Sequence, residues 1–107
     1  MEFRLVYMTA ASRDEAKKIG RALVEERLAA CANIIDGMDS VYWWQGKLTE
    51  DRETVLIAKT RAELVPALTE RVKALHSYTL PCVVALPLVG GNPAYMGWLE
   101  AETARPG

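Results

Sequence analysis

The chain is predicted to fold as an α+β, ferredoxin-like βαββαβ sandwich with a long hairpin between its second and third strands and an extra C-terminal helix. Three observations predict this. The apolar residues change period in the order strand, helix, strand, strand, helix, strand. Ser12-Arg13-Asp14-Glu15 and Thr60-Arg61-Ala62-Glu63 each carry the Ser/Thr-x-x-Glu start signal of a helix, one in each half. Between the two helices, residues 30–59 show no helical period and turn around a glycine. That hairpin breaks the β–α alternation a flavodoxin-like fold needs. Right-handed crossovers then place the first and third strands in the middle of the sheet, with the fourth and second at its edges.

Phe3 to Thr9 is a short apolar run rich in β-formers, the first strand. The first helix starts at the Ser12 box and runs to about Leu28. It places Ala16, Ile19, Gly20 and Leu23 on one face and charges on the other. The second strand begins near Ala30, bends at Gly37, resumes at Ser40 and reaches Gln45. Gly46-Lys47 is expected at the hairpin tip. The third strand covers Leu48 to Lys59, most apolar from Thr54 to Ala58. Both strands exceed the typical length of about 5–6 residues, so something must cover them. The Thr60 box opens the second helix, with Pro66 in its first turns and Val65, Leu68, Val72 and Leu75 as its apolar stripe. Pro81 precedes the fourth strand, Cys82 to Leu88, whose continuous apolar run reads as buried. Gly90-Gly91-Asn92-Pro93 is a turn. A final helix over about Ala94 to Thr103 carries Tyr95 and Trp98 on one side, and Ala104 to Gly107 is expected to fray.

The 107 residues suffice for one domain, 1–107, and one core. Half are hydrophobic and the formal net charge is -1, with no basic block. This argues against nucleic-acid binding, which needs a basic patch. No apolar run approaches the ~20 residues that span a bilayer, and Met1-Glu2-Phe3-Arg4 does not begin a signal peptide. A cytoplasmic location with no membrane partner is the default. The two cysteines, Cys31 and Cys82, are expected to be reduced and at opposite ends of the sheet.

The residues able to carry chemistry gather around His76, the only histidine. It ends the second helix, where the helix dipole alone would favour it. The topology also brings Tyr78, Cys82 and Met8 to that end of the sheet. Imidazole, thiolate and thioether together suit Cu(I) or another soft ion, so His76, Cys82 and Met8 are the candidate metal ligands. Met8 and Cys82 are equally residue types that simply pack in cores. Cys31 lies among Ala29, Ala30 and Ala32, as suits an inert thiol at a tight strand start. Asp36, Asp39, Glu50, Asp51 and Glu53 match no Ca²⁺ loop and are expected to be mostly solvated. Gly90-Gly91 is a weak phosphate-loop signal, and no CxxC, HExxH, P-loop or GxGxxG motif is present. Tyr42, Trp43 and Trp44 straddle both faces of a strand near its tip. One ring can enter the core; another needs cover from outside, which points to a symmetric oligomer.

Arg27-Leu28-Ala29-Ala30-Cys31-Ala32-Asn33-Ile34, Ser40-Val41-Tyr42-Trp43-Trp44-Gln45-Gly46-Lys47, Glu53 followed by Lys59-Thr60, and Gly91-Asn92 with Tyr95-Met96-Gly97-Trp98-Leu99 resemble the signature segments of the CutA divalent-cation tolerance family, over essentially the whole chain. The resemblance implies a ferredoxin-like fold, a cytosolic homotrimer with strands paired between subunits, and a link to tolerance of copper and other divalent metal ions. No reaction is attached to the family. Its trimer resembles that of the PII signalling proteins, which bind small effectors at clefts between subunits, an analogy at the level of fold. The family pattern His-Pro-Tyr-Glu followed by Pro-Glu is matched at His76, Tyr78 and Pro81. Ser77 replaces the proline, and Thr79 and Cys82 replace the two acids. This weakens a hard-ion site and leaves a soft one.

The reading that follows is a non-enzymatic trimer that binds a metal ion or small ligand at intersubunit clefts. His76, Cys82 and Met8 are the candidate metal ligands; Tyr78, Cys31, Lys59 and Trp44 are candidates for the cleft; Tyr42, Trp43, Trp44 and Trp98 are candidates for the interface. The alternative is a PII-like signalling or scaffold trimer that binds a small effector or partner protein without metal. The sequence leaves open the metal, the ligand and the cellular partner.

Overall fold

A computed structural model describes residues 1–104. The elements are β1 (Phe3–Ala10), α1 (Arg13–Glu25), β2 (Cys31–Trp44), β3 (Lys47–Arg61), α2 (Val65–Leu75), β4 (Val83–Leu88) and α3 (Pro93–Ala101), with a short 3-10 turn at Ala62–Leu64 before α2. The four strands form one antiparallel sheet in the order β2-β3-β1-β4. This is the ferredoxin-like topology the sequence predicts.

Register assigns each side chain to a face. Directly opposed residues share a face and successive residues alternate. Val6 and Met8 of β1 lie level with Ala58 and Leu56 of β3, and these four face α1 and α2. Ile19 and Leu23 of α1 and Leu68 and Val72 of α2 complete a core in which all eight are buried. Gly20 is the closest approach of α1 to the sheet: a Cβ there would sit 3.0 Å from Leu56 Cδ1 and 3.1 Å from Ala32 Cβ. Gly20→Val is therefore expected to cost about 2 kcal/mol by levering α1 off the sheet, measurable by denaturant unfolding.

The opposite face carries Phe3, Leu5, Tyr7 and Thr9 of β1, with Val84 and Leu86 of β4 level with Tyr7 and Leu5. Among the described residues no helix covers its middle. At the Phe3 end α3 packs on it, through Leu99 and Met96 against Phe3, Ala30 and Leu88. That helix is clamped by Arg61, 3% exposed. Arg61 Nε donates to Thr103 Oγ1 (2.8 Å), Nη2 donates to the carbonyls of Thr103 (3.2 Å) and Ala104, and Nη1 pairs with Glu63 (3.4 Å).

Several local expectations are corrected. The helix α1 stops at Glu25, not near Leu28. Arg27 takes a left-handed conformation (φ 62), so Leu28 N–H donates to Leu23 O and Arg27 N–H to Val24 O, a Schellman ending without its usual glycine. The Thr60 box caps nothing. Thr60 and Arg61 are still in β3, Thr60 Oγ1 donates to Leu28 O (2.7 Å), and α2 starts later with no side-chain cap. The hairpin turn is Gln45-Gly46, both at positive φ (50 and 78), one residue before the expected tip. The bend at Gly37 (φ 81) is a β-bulge between Ile35 and Met38, after which pairing resumes at Met38. Strand β4 is mostly exposed rather than buried: it lies at an edge, and its continuous apolar run reflects an uncovered face, not a second layer. Ala104 is tied down, its N–H donating to Arg27 O at 2.8 Å. Residues 105–107 of the expected frayed tail lie outside the described residues.

Candidate functional site

At the Thr9 end of the uncovered face the hairpin and residues 76–80 enclose a cleft of about 810 Å³. Its floor is Tyr7 and Thr9 of β1 and Glu53 of β3, and its far wall is built by Tyr42 and Trp44 of β2 with Asp51 of β3. Tyr42 and Trp44 lie level with Thr49 and Lys47, so their side chains share the cleft face with Asp51 and Glu53, while Trp43 turns to the other. The near wall is Ser77, Tyr78 and Cys82.

Residues 76–80 are fixed by hydrogen bonds. Tyr78 N–H donates to His76 Nδ1 (3.0 Å), so Nδ1 is the acceptor nitrogen and Nε2–H donates to Thr9 O (2.7 Å). Ser77 N–H donates to Glu15 Oε2 (3.0 Å), whose other oxygen takes Ala11 N–H (3.1 Å). Ser12 caps α1 as expected, accepting from Glu15 N–H, but Glu15 reaches Ala11 rather than Ser12. Burial pushes the Glu15 carboxyl up; the hydrogen bonds from Ser77 and Ala11 outweigh it and hold the group below the usual range.

Two tyrosine–carboxylate pairs line the cleft. Tyr78 O–H donates to Glu53 Oε2 and Tyr42 O–H to Asp51 Oδ2, both at 3.0 Å. Burial and then Glu53 raise Tyr78, so it stays a hydroxyl and a donor. The Cys82 thiol is likewise raised, by burial first and Glu53 second, which disfavours the thiolate. Tyr7 O–H reaches Met38 Sδ at 3.4 Å.

The proposed metal ligands do not converge. Met8 is 1% exposed in the helix-side core, across the sheet from Cys82. Both nitrogens of His76 are hydrogen-bonded, leaving no free lone pair. Among the described residues no three His, Cys, Asp or Glu side chains form a metal-ligating group. Within one chain His76, Cys82 and Met8 therefore do not form a copper site. Of the candidates for a cleft between subunits, Tyr78 and Trp44 line this one; Cys31 and Lys59 pair with each other at the far end of the same chain's sheet, so only a neighbouring copy's Cys31 or Lys59 could reach it. At that far end Lys59 Nζ donates to Tyr95 O–H (3.2 Å), whose oxygen is 3.7 Å from Cys31 Sγ, and Trp98 stacks tilted on Tyr95 at 5.4 Å. Glu53, grouped in the sequence with acids expected to be mostly solvated, is found 9% exposed. Its position directly before the apolar run Thr54–Ala58 was the available signal.

Fold and cleft define a class: an α+β, ferredoxin-like domain with a ligand-sized cleft at one end of an uncovered sheet. The family model for the CutA1 divalent ion tolerance protein matches residues 4–102, and the chain belongs to that family. It is 52% identical over 99 residues to the divalent-cation tolerance protein CutA of Thermus thermophilus, covering 92% of this chain and 96% of that protein. It is 48% identical over 99 residues to the chloroplastic protein CutA 1 of Oryza sativa, covering 92% of this chain but only 56% of that longer protein. The solved Thermus thermophilus CutA1 superposes with a TM-score of 0.93 at 50% identity, covering 95% of this chain and 99% of that one. The Oryza sativa CutA1 structure gives 0.96 at 45%, covering 99% and 97%. The family description concerns divalent-ion tolerance and names no reaction. No helix among the described residues is long and apolar enough to cross a membrane.

Proposed function

We propose that this chain is a homotrimeric, non-enzymatic binding protein that acts in tolerance of copper and other divalent ions, in the cytoplasm, through a small ligand held in the cleft beneath the hairpin. The observation that carries the cleft is the nearly buried Glu53 carboxylate at its floor, in an aromatic-walled space of about 810 Å³, within the usual size of ligand sites. The trimer is supported by what the monomer leaves uncovered. Val84 is 52% exposed, Leu86 46% and Ile35 56% on the open face, and Trp43 is 72% exposed near the tip. Both edges of the sheet, β2 and β4, are free to pair. Apolar faces and open edges of this kind are covered by other copies. The cytoplasm is supported by two thiols at opposite ends of the sheet, as suits a reducing compartment.

A metal reading is favoured by one observation, the soft donor Cys82 at the cleft wall beside Tyr78. Titration with Cu(I) under reducing conditions separates it from the small-ligand reading. Wild type, Cys82→Ser and His76→Ala are expected to bind Cu(I) alike, because both His76 nitrogens are engaged and burial, with Glu53, disfavours the Cys82 thiolate. A loss of affinity on order of tenfold or more in either variant would restore a metal site at that wall.

A further inference from the structure

We infer that the cleft beneath the hairpin takes a small organic cation, an ammonium or guanidinium compound, held by Glu53 and Asp51 against the rings of Tyr42 and Trp44. The inference rests on the reading of this cleft as the ligand site and adds the chemistry of what enters it.

The first support is an unanswered charge. Glu53 is nine-tenths buried, and only its Oε2 is engaged, by Tyr78 O–H. Its Oε1 has no hydrogen-bond partner among the described residues. Every fully buried side-chain oxygen among those residues does have a partner, so Oε1 opens into the cleft. Asp51 likewise keeps Oδ1 free while Oδ2 takes Tyr42 O–H. Neither carboxylate has an ion-pair partner among the described residues. Among the described residues no Lys, Arg or His lines the cleft. A carboxylate walled by protein on most sides, with one oxygen open to the cleft, is stabilised by a positive charge placed there. Its field is felt by the groups around it: Tyr7 and Cys82 are pushed up by burial first, with Glu53 adding to the rise in each.

The second support is the wall. The carboxylates are set among aromatic rings, and a cation that has shed part of its water binds best between carboxylate and π-face. A hard metal ion fits poorly by comparison. Ca²⁺ and Mg²⁺ take about six or more oxygens, whereas only two carboxylates stand here and each already holds a tyrosine hydroxyl. An anion would meet both of those charges, and a bare ion would leave most of the space unfilled.

The test is calorimetric titration of the assembled protein with choline, with its uncharged isostere 3,3-dimethylbutan-1-ol, and with 3,3-dimethylbutanoate. Choline is expected to bind about tenfold more tightly than the alcohol, and the anion not at all. Glu53→Gln keeps an acceptor for Tyr78 O–H but removes the charge, and is expected to abolish the preference. Asp51→Asn, at an exposed position that bears little on folding, is expected to reduce it. Equal binding of choline and the alcohol, or best binding of the anion, overturns the charge inference and leaves the cleft reading standing. A preference for choline that survives the Glu53→Gln, Asp51→Asn double variant also overturns it, by placing the cation elsewhere. No saturable binding of any of the three overturns both readings, because the assembly then closes the cleft.

Discussion

Val84→Asp is expected to leave the chain folded and to abolish its assembly. Val84 sits on β4 level with Tyr7, on the part of the sheet face that α3 leaves open, and is 52% exposed in the isolated chain. A carboxylate there meets water in a monomer, so the monomer should lose no more than about 0.5 kcal/mol. In a trimer the same carboxylate is taken out of water without a partner, at a cost of several kcal/mol per subunit, incurred at each of the copies. Light scattering should therefore report the monomer mass for the variant, while circular dichroism shows the wild-type secondary structure. A Val84→Asp protein that keeps the wild-type assembly would place the interface on another face.

The second large effect is at Arg61. Arg61→Met is expected to lower stability by about 3 kcal/mol, since the guanidinium bonds are charge-assisted and buried. Without it the carbonyls of Thr103 and Ala104 lose their donor, and the segment after α3 is released from β3. The loss should fall first on α3, with Leu99 losing protection from solvent. Hydrogen exchange should show early opening of Pro93–Ala101 while β1 and β3 keep their protection. Uniform loss of protection over the whole sheet would mean that Arg61 supports the core rather than the helix alone.

Topology was legible in the sequence because it depends on patterns that local chemistry imposes. The switch of period after Leu28, the glycine at the hairpin and the apolar stripe through Leu68 and Val72 each have one economical structural reading, and their order admits few topologies. What was not legible depended on conformation without a dedicated residue, or on tertiary partners. Arg27 ends α1 in a left-handed turn that glycine usually marks. Thr60 and Glu63 match a capping pattern, yet Thr60 is taken by Leu28 O from the far side of the fold. The apolar run of β4 reads the same whether its cover comes from this chain or from another copy. Which side chains meet within one chain was illegible for a related reason. Proximity along the sheet brought Met8, His76 and Cys82 together on paper, but strand alternation puts Met8 and Cys82 on opposite faces, and the two backbone partners of His76 were invisible to spacing. Glu53 read as solvated because it stands with Glu50 and Asp51 near a hairpin; only the pairing of β3 between β1 and β2 puts it under Tyr78.

The assembly we propose is a trimer that buries the Val84 and Leu86 part of the open sheet face and leaves the cleft at its Thr9 end accessible. Sedimentation equilibrium of the wild-type protein over nanomolar to micromolar concentration tests this most directly. A single species at three times the 11.9 kDa chain mass is the expected result. A species at the mass of one chain at micromolar concentration would contradict it, since the open face would then be stable in water on its own.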